Sequence, residues 1–152
     1  MKSIHRLSAL VLATIFTLAL AFTAPAADDY KLKVGVQTWT LRHLDFDQVV
    51  AFAKKHDVKF LQMISTHINP KGDWDEIKRK KKILDDNGLV CYTFGVNGTS
   101  LDKEDNRKLF EFAKFMGCEV IVVEPRDFKI FDNLEELVKE YDIKLAIHNH
   151  GH

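Results

Sequence analysis

Short apolar runs recur along the chain, and amphipathic stretches with charged outer positions separate them. Runs of this length that are hydrophobic on both faces are typical of buried parallel strands. They predict five strands, at residues 32–39, 58–64, 89–95, 120–124 and 144–148. The stretches between them predict four helices, at residues 46–56, 73–87, 102–116 and 134–141. The chain therefore belongs to the α/β class.

Strands and helices alternate strictly, which predicts one parallel sheet built from right-handed βα units. Such a sheet is either open and doubly wound or part of a (β/α)8 barrel with the helices outside, and the pattern alone favours neither. The sequence contains no G-x-G-x-x-G, which argues against a Rossmann dinucleotide site. Because a barrel needs eight strands, the barrel alternative implies that these five strands belong to a larger protein.

The first 27 residues differ from the rest in composition. Lys2 and Arg6 form a basic start, residues 7–22 are almost uncharged and apolar, and small residues follow at 24–26. This order is typical of a cleaved signal peptide. A transmembrane anchor is the alternative, but the run is shorter than the roughly 20 apolar residues that span a membrane. We predict a signal peptide at 1–27, no stable membrane span, and export of residues 28–152 to a periplasmic or extracellular location.

Charge and cysteine content exclude some classes of function. The chain carries 22 basic and 22 acidic side chains, and this balance offers no basic surface for nucleic acid. The basic run at 78–82 falls within a predicted helix, where it is expected to be a solvated face. Cys91 and Cys118 lie in or beside apolar strands, so we expect buried thiols, although an exported protein can also pair them.

The carboxyl ends of the strands are where parallel α/β proteins place their chemistry. Glu124 ends the fourth strand, directly before Pro125, which cannot continue it. A carboxylate that follows four apolar residues is costly to bury unless it binds a cation or accepts hydrogen bonds. The alternative is that Glu124 turns out to solvent.

The fifth strand ends in a second polar cluster. Period-two alternation places His148 and His150 on one face and turns Asn149 to the other. If the inward row of the fourth strand includes Glu124, then Glu124 and His148 face one pocket. A carboxylate and an imidazole suit a divalent ion such as Mn²⁺, Zn²⁺ or Mg²⁺. The alternative is that the terminal histidines form a flexible tail.

Other polar or aromatic side chains also lie near strand ends. Gln37 and Trp39 belong to the first predicted strand, Gln62 to the second, and Asn97 follows the third. We predict that a substrate contacts Gln37, Trp39, Asn149 and His150. Trp39 fits either a sugar-stacking platform or ordinary rim packing. The remaining histidines have no partner at ligand spacing and are predicted to lie at the surface: His43, His56 and His67.

Three segments resemble one known family. Residues 34–42, Val-Gly-Val-Gln-Thr-Trp-Thr-Leu-Arg, resemble the first strand of the xylose isomerase-like TIM barrels, often called sugar phosphate isomerase/epimerase. Residues 122–125 resemble their fourth strand, and residues 139–151 resemble the helix and fifth strand of an exported branch. The resemblance implies a partial (β/α)8 TIM barrel of five parallel strands with outer helices, the amino-terminal half of such a protein.

The resemblance also implies chemistry. Members of the family bind a divalent metal ion at strand ends and abstract a proton next to a carbonyl of a small sugar. On this chain the implied metal ligands are Glu124 and His148, with Asn149 beside them. Many relatives carry glutamate where this chain has His148, which leaves the identity of the metal open. The other ligands and an acid/base residue lie on the sixth to eighth strands, so no catalytic residue is assigned and it stays open whether this chain alone is an enzyme.

Three alternative functions follow from the same residues. A lyase or hydrolase acting on oxidised glycosides would use the same metal site. A half barrel that only binds sugar, or a non-catalytic fragment, would explain the missing strands. A DNA-repair endonuclease of the same superfamily is disfavoured by export and by the neutral charge. For a half barrel we also expect self-association through the exposed edges of the first and fifth strands.

Overall fold

Five parallel strands form one sheet in the computed structural model, which describes residues 32–149. The strands are β1 (Gly35–Gln37), β2 (Phe60–Met63), β3 (Val90–Gly98), β4 (Val120–Glu124) and β5 (Lys144–Ile147). The helices are α1 (Phe46–Lys55), α2 (Trp74–Asp86), α3 (Lys103–Met116) and α4 (Ile130–Tyr141), and a 3₁₀ helix (Thr38–Leu41) follows β1. The predicted signal peptide and His150 lie outside the described residues.

The strands lie side by side in the order in which they occur along the chain, and every neighbouring pair is parallel. A doubly wound sheet reverses direction after its first strand, whereas a barrel adds each strand to the same edge. The sequential order therefore confirms the predicted sector of a (β/α)8 barrel. Between residues 32 and 149, no helix is both long enough and apolar enough to cross a membrane.

The hydrophobic core lies between the helices and one face of the sheet, which we call the outer face. Leu61, Phe94 and Ile121 point from their strands into this layer and are fully buried. The rings of Phe94 and Phe112 pack with their centroids 4.7 Å apart. The opposite face, which we call the inner face, is covered only in part. This division matches a barrel sector, whose inner face meets the rest of the barrel.

Aspartate caps fix the starts of three helices and thereby the ends of the preceding loops. Asp45 and Gln48 form a reciprocal capping box at α1, with hydrogen bonds of 2.8 and 2.9 Å. Asp73 and Asp102 accept backbone N–H groups at the first turns of α2 and α3. Each such cap stabilises its helix by about 1 kcal/mol.

The first strand is shorter than predicted. The apolar run predicts a strand over residues 32–39, but β1 ends at Gln37 and the chain turns into the 3₁₀ helix. Thr38 is fully buried at this turn and contacts His67, so the chain leaves the sheet there. Trp39 consequently lies on the 3₁₀ helix rather than on the strand.

The third strand is longer than predicted because it contains irregular pairing. Phe94 pairs with Ile121, but the next paired residue of β3 is Asn97, opposite Val123. Two residues of β3 thus lie where β4 has one, which is a β-bulge. Gly95 occupies this position at φ +135°, and a Cβ there would lie 2.3 Å from the carbonyl oxygen of Val122. Only glycine fits this close approach.

The two cysteines are buried, as predicted. The sulfur atoms of Cys91, near the start of β3, and Cys118, just before β4, lie 3.5 Å apart. The hydrogen bond with Cys91, together with burial, raises the pKa of the Cys118 thiol. Both residues belong to the hydrophobic core, where a buried thiol packs as a small apolar side chain.

Candidate functional site

A cavity of about 340 Å³ opens at the carboxyl end of the sheet, and every strand or the segment just after it contributes to its wall. We call it the central cavity. Its lining residues are Gln37, Trp39, Ile64, Ser65, Thr66, Val96, Glu124 and His148. The wall therefore mixes an exposed indole, hydroxyl and amide groups, one carboxylate and one imidazole. This is the edge at which parallel α/β proteins place their chemistry.

Glu124 and His148 meet in this cavity because β4 and β5 run in register. Val123 pairs with Ile147, and the N–H of His148 donates to the carbonyl of Val123 over 2.8 Å. Continuing the register brings Glu124 beside His148. The structure thus brings together the two side chains predicted as metal ligands, while their role as ligands stays a prediction.

Gln37 and Trp39 enter the cavity from the opposite side. Trp39 keeps 57% of its surface exposed although it lines a cavity. The guanidinium of Arg42 lies 5.1 Å from the centre of the indole ring and donates to the Trp39 carbonyl over 3.0 Å. This contact holds the indole in place and leaves an exposed aromatic surface on which an apolar sugar face can stack.

A buried histidine supports the 3₁₀ helix that carries Trp39. His67 Nδ1 lies 3.0 Å from the Thr38 hydroxyl, and Nε2 lies 3.2 Å from the Leu44 carbonyl. A carbonyl can only accept, so Nε2 carries the hydrogen and Nδ1 accepts from Thr38. Burial lowers the pKa of His67 and favours the neutral ring that this arrangement needs.

The prediction of a surface position for His67 was wrong, whereas His43 and His56 are exposed as predicted. His67 is only 2% exposed, because the loop after β2 turns beneath the 3₁₀ helix. Its partner Thr38 lies 29 residues earlier. No local pattern signals such a contact.

Ser65 and Thr66 are cavity residues that the sequence interpretation missed. They follow the apolar residues of β2 directly, so the strand-end argument used for Glu124 applies to them equally. Gln62, which was noted as a strand-end residue, donates its side-chain amide to the Gly95 carbonyl over 3.1 Å and joins two strands. Asn149 is exposed and is not one of the residues that line the cavity.

The donor set for a metal ion is partial. Glu124 offers carboxylate oxygens and His148 an imidazole nitrogen, which are ligands that Mn²⁺ and Zn²⁺ accept. In the part of the chain that the structure describes, no group of three or more His, Cys, Asp or Glu side chains is placed to hold an ion. The residues present thus fit part of a metal site, with further ligands needed from elsewhere.

Solved structures with the same fold include three informative ones. An uncharacterized protein from Parabacteroides distasonis ATCC 8503 is 27% identical, with a TM-score of 0.69 over 78% of this chain and 53% of its own. A sugar phosphate isomerase/epimerase from the same organism is 20% identical, with a TM-score of 0.59 over 83% and 54%. A xylose isomerase domain containing protein from Salmonella typhimurium LT2 is 12% identical, with a TM-score of 0.60 over 80% and 51%.

These matches identify the class of fold. The chain is an α/β sector of a (β/α)8 barrel, and it shares the fold of the xylose isomerase-like barrels. The predicted resemblance is confirmed at the level of the fold. The chain spans about half the length of each matched structure. No protein-family model and no curated protein matches the sequence.

Proposed function

We propose that the chain forms the amino-terminal part of a divalent-metal-dependent sugar isomerase or epimerase that abstracts a proton next to a carbonyl. The observation that carries the proposal is the convergence of all five strand ends on one cavity that holds both Glu124 and His148. The names of two matched structures, a sugar phosphate isomerase/epimerase and a xylose isomerase domain containing protein, support the class of reaction. The pattern of the first 27 residues supports export.

In this proposal Glu124 and His148 hold the ion, which is Mn²⁺, Zn²⁺ or Mg²⁺. When bound, such an ion polarises a substrate carbonyl and stabilises the negative charge that develops on its oxygen. Glu124 contributes a negative charge that attracts the cation, and the imidazole of His148 contributes a nitrogen lone pair. Two ligands bind more weakly than the three or four of a complete site, so the whole protein must supply the others.

The other wall of the cavity orients the sugar. The exposed indole of Trp39 stacks against the apolar face of the ring, and Gln37 exchanges hydrogen bonds with its hydroxyl groups. Ser65 and Thr66 offer two further hydroxyl groups on the side of β2. These residues bind and position the substrate. We assign the proton acceptor to the sixth to eighth strands of the barrel. The reaction therefore requires the whole barrel.

Titration of Mn²⁺ into the full chain by isothermal calorimetry tests the proposed ligands. Glu124→Gln and His148→Ala should each weaken binding at least about tenfold, because each removes one of two donors. The matched controls are Glu135→Gln, which removes a surface carboxylate paired with Lys139, and His43→Ala, which removes an exposed imidazole. The controls should bind Mn²⁺ like the unaltered chain. Equal affinity of the His148→Ala and His43→Ala variants would contradict the proposed site.

A further inference from the structure

A second cavity of about 370 Å³ lies next to the central cavity and shares Ser65 with it. We call it the outer groove. It runs between the loop after β2, which contributes Asn69 and Lys71, and the segment from the end of β3 to the start of α3, which contributes Thr99 and Asp105. Six of its eleven lining residues carry an amide or hydroxyl group, and these are the groups that recognise sugar hydroxyls.

Hydrogen bonds within both walls hold the groove in shape. Asn106 is only 3% exposed, and its side chain both donates to the carbonyl of Ser100 over 2.7 Å and accepts from its N–H over 2.9 Å. The same amide group also donates to the side chain of Asn133 on α4 over 2.8 Å. On the opposite wall, the Asn69 side chain accepts the N–H of Lys71 over 3.0 Å. Groups fixed in advance lose less entropy when a ligand binds.

One polar atom in this wall has no partner. Among the described residues, Thr99 Oγ1 is buried and makes no hydrogen bond. Buried hydroxyl groups are nearly always paired, because an unpaired one loses the hydrogen bonds that water provides. Thr99 belongs to the lining of the outer groove. Rotation about its Cα–Cβ bond would turn the hydroxyl towards the groove, where a hydroxyl group of a bound ligand would supply the missing partner.

The charges of the groove favour a neutral ligand. Lys71 Nζ lies 3.7 Å from the carboxylate of Asp105. The positive and the negative charge among the described lining residues therefore neutralise each other. Lys108 also approaches Asp105, at 3.5 Å. The start of α3, a position that favours anions, is capped by the carboxylate of Asp102. A phosphate would have to compete with both carboxylates.

We propose that the outer groove is a second sugar subsite, and that the substrate is an uncharged saccharide of more than one ring. One ring occupies the central cavity and the next lies in the outer groove, with Ser65 between them. The proposal rests on the proposed function for the assignment of the central cavity to a sugar. It adds that the substrate carries no phosphate in the groove and extends beyond a monosaccharide.

The test compares the binding of three kinds of probe to the full chain by saturation-transfer NMR and calorimetry. The probes are glucose, a set of disaccharides (cellobiose, maltose and lactose) and glucose 6-phosphate. At least one disaccharide should bind about tenfold tighter than glucose, the gain expected from one or two added hydrogen bonds. Glucose 6-phosphate should bind no tighter than glucose.

Variants of two groove residues test whether the additional affinity for a disaccharide arises in the outer groove. Lys71→Met and Thr99→Val should reduce disaccharide affinity towards that of glucose and leave glucose affinity unchanged. Thr99→Ser, which keeps the hydroxyl, should retain the gain. Lys78→Met is the matched control, since Lys78 is an exposed lysine that pairs with Asp75 at 3.1 Å on the surface of α2. Circular dichroism establishes that each variant is folded before its affinity is compared.

Each remaining outcome has a distinct meaning. Equal affinity for glucose and all disaccharides would overturn the subsite and leave the proposed function standing. Preferred binding of glucose 6-phosphate, lost in Lys71→Met, would overturn it in favour of an anion site. Absence of any sugar binding would overturn the subsite as well. The Mn²⁺ titration of the Glu124→Gln variant tests the proposed function separately.

Discussion

The two faces of the sheet differ in how far their side chains are buried. On the outer face Leu61, Phe94 and Ile121 are fully buried against the helices. On the inner face the neighbouring residues Gln62 and Val122 stay partly exposed, although they belong to the same strands. The comparison teaches that the stability of this chain comes from one face, while its candidate chemistry lies at the rim of the other.

The inner face changes character along the strands. At the amino-terminal end, the rings of Phe60 and Tyr92 pack edge to face at 5.8 Å, with the ammonium group of Lys33 within 6 Å of both. At the carboxyl end, polar groups surround the central cavity. A complete barrel would bury this face. The expected self-association through the edges of β1 and β5 stays a prediction.

The largest effect should come from the outer face. Phe94→Ala removes a fully buried ring that packs on Phe112, and we expect it to lower the free energy of unfolding by about 3–5 kcal/mol. Urea denaturation followed by circular dichroism measures the change. Val122→Ala on the inner face is the control, and it should cost about 1 kcal/mol or less because its site is partly open. Similar losses for the two variants would remove the distinction between the faces.

A smaller effect should appear as pH dependence at the support of the cavity. Burial lowers the pKa of His67 below its usual 6.5, so the folded state keeps the ring neutral while the unfolded state takes up a proton as the pH falls. The contribution of His67 is therefore complete above about pH 6.5 and is lost as the pH falls through the folded-state pKa. The free energy of unfolding should therefore fall between pH 7 and pH 5.5.

The same measurement on His67→Asn checks the assignment. This variant should be less stable at pH 7, because the carbonyl of Leu44 loses the donor that Nε2 provides, but its stability should change less between pH 7 and 5.5. His56→Asn removes an exposed histidine and should keep the full pH dependence. If His67→Asn retained the whole slope, another group would be responsible for it.

The smallest effect on stability should come from Glu124 and His148, at the carboxyl-terminal rim of the inner face. Glu124→Gln and His148→Ala change side chains that are exposed or partly exposed, so each should alter the free energy of unfolding by less than about 0.5 kcal/mol. Denaturation in the absence of metal measures this. Together with lost Mn²⁺ binding, such a result would separate a ligand from a structural residue. A loss of several kcal/mol would instead mean that the rim supports the fold.

The sequence pattern predicted the fold well where side-chain alternation was regular. The bounds of β4 were predicted to the residue, because Pro125 ends an unbroken apolar run. The bounds of β3 were not, because its irregular pairing spaces Cys91, Phe94 and Asn97 three residues apart instead of two. A period-two pattern cannot describe such a strand.

The candidate site could be predicted only in part. Glu124, His148 and Gln37 were found because strand ends can be recognised from the order of apolar and polar residues. The contact of His67 with Thr38 depends on how one loop folds beneath another, which the order of residue types does not encode. The same limit applies to the outer groove, whose walls come from two separate loops.

The bulge in β3 connects the regular strand pairing to the wall of the central cavity. Val96 lies between Phe94 and Asn97, is not among the residues of β3 that pair with β4, and lines the central cavity. Pairing with β4 begins again at Asn97, whose side-chain amide donates to the carbonyls of Phe94 and Val122, each over 3.3 Å. A substitution at position 96 should therefore change the shape of the cavity wall more than the pairing of β3 with β4. Gly95 must stay glycine, because a Cβ there would clash with the carbonyl oxygen of Val122.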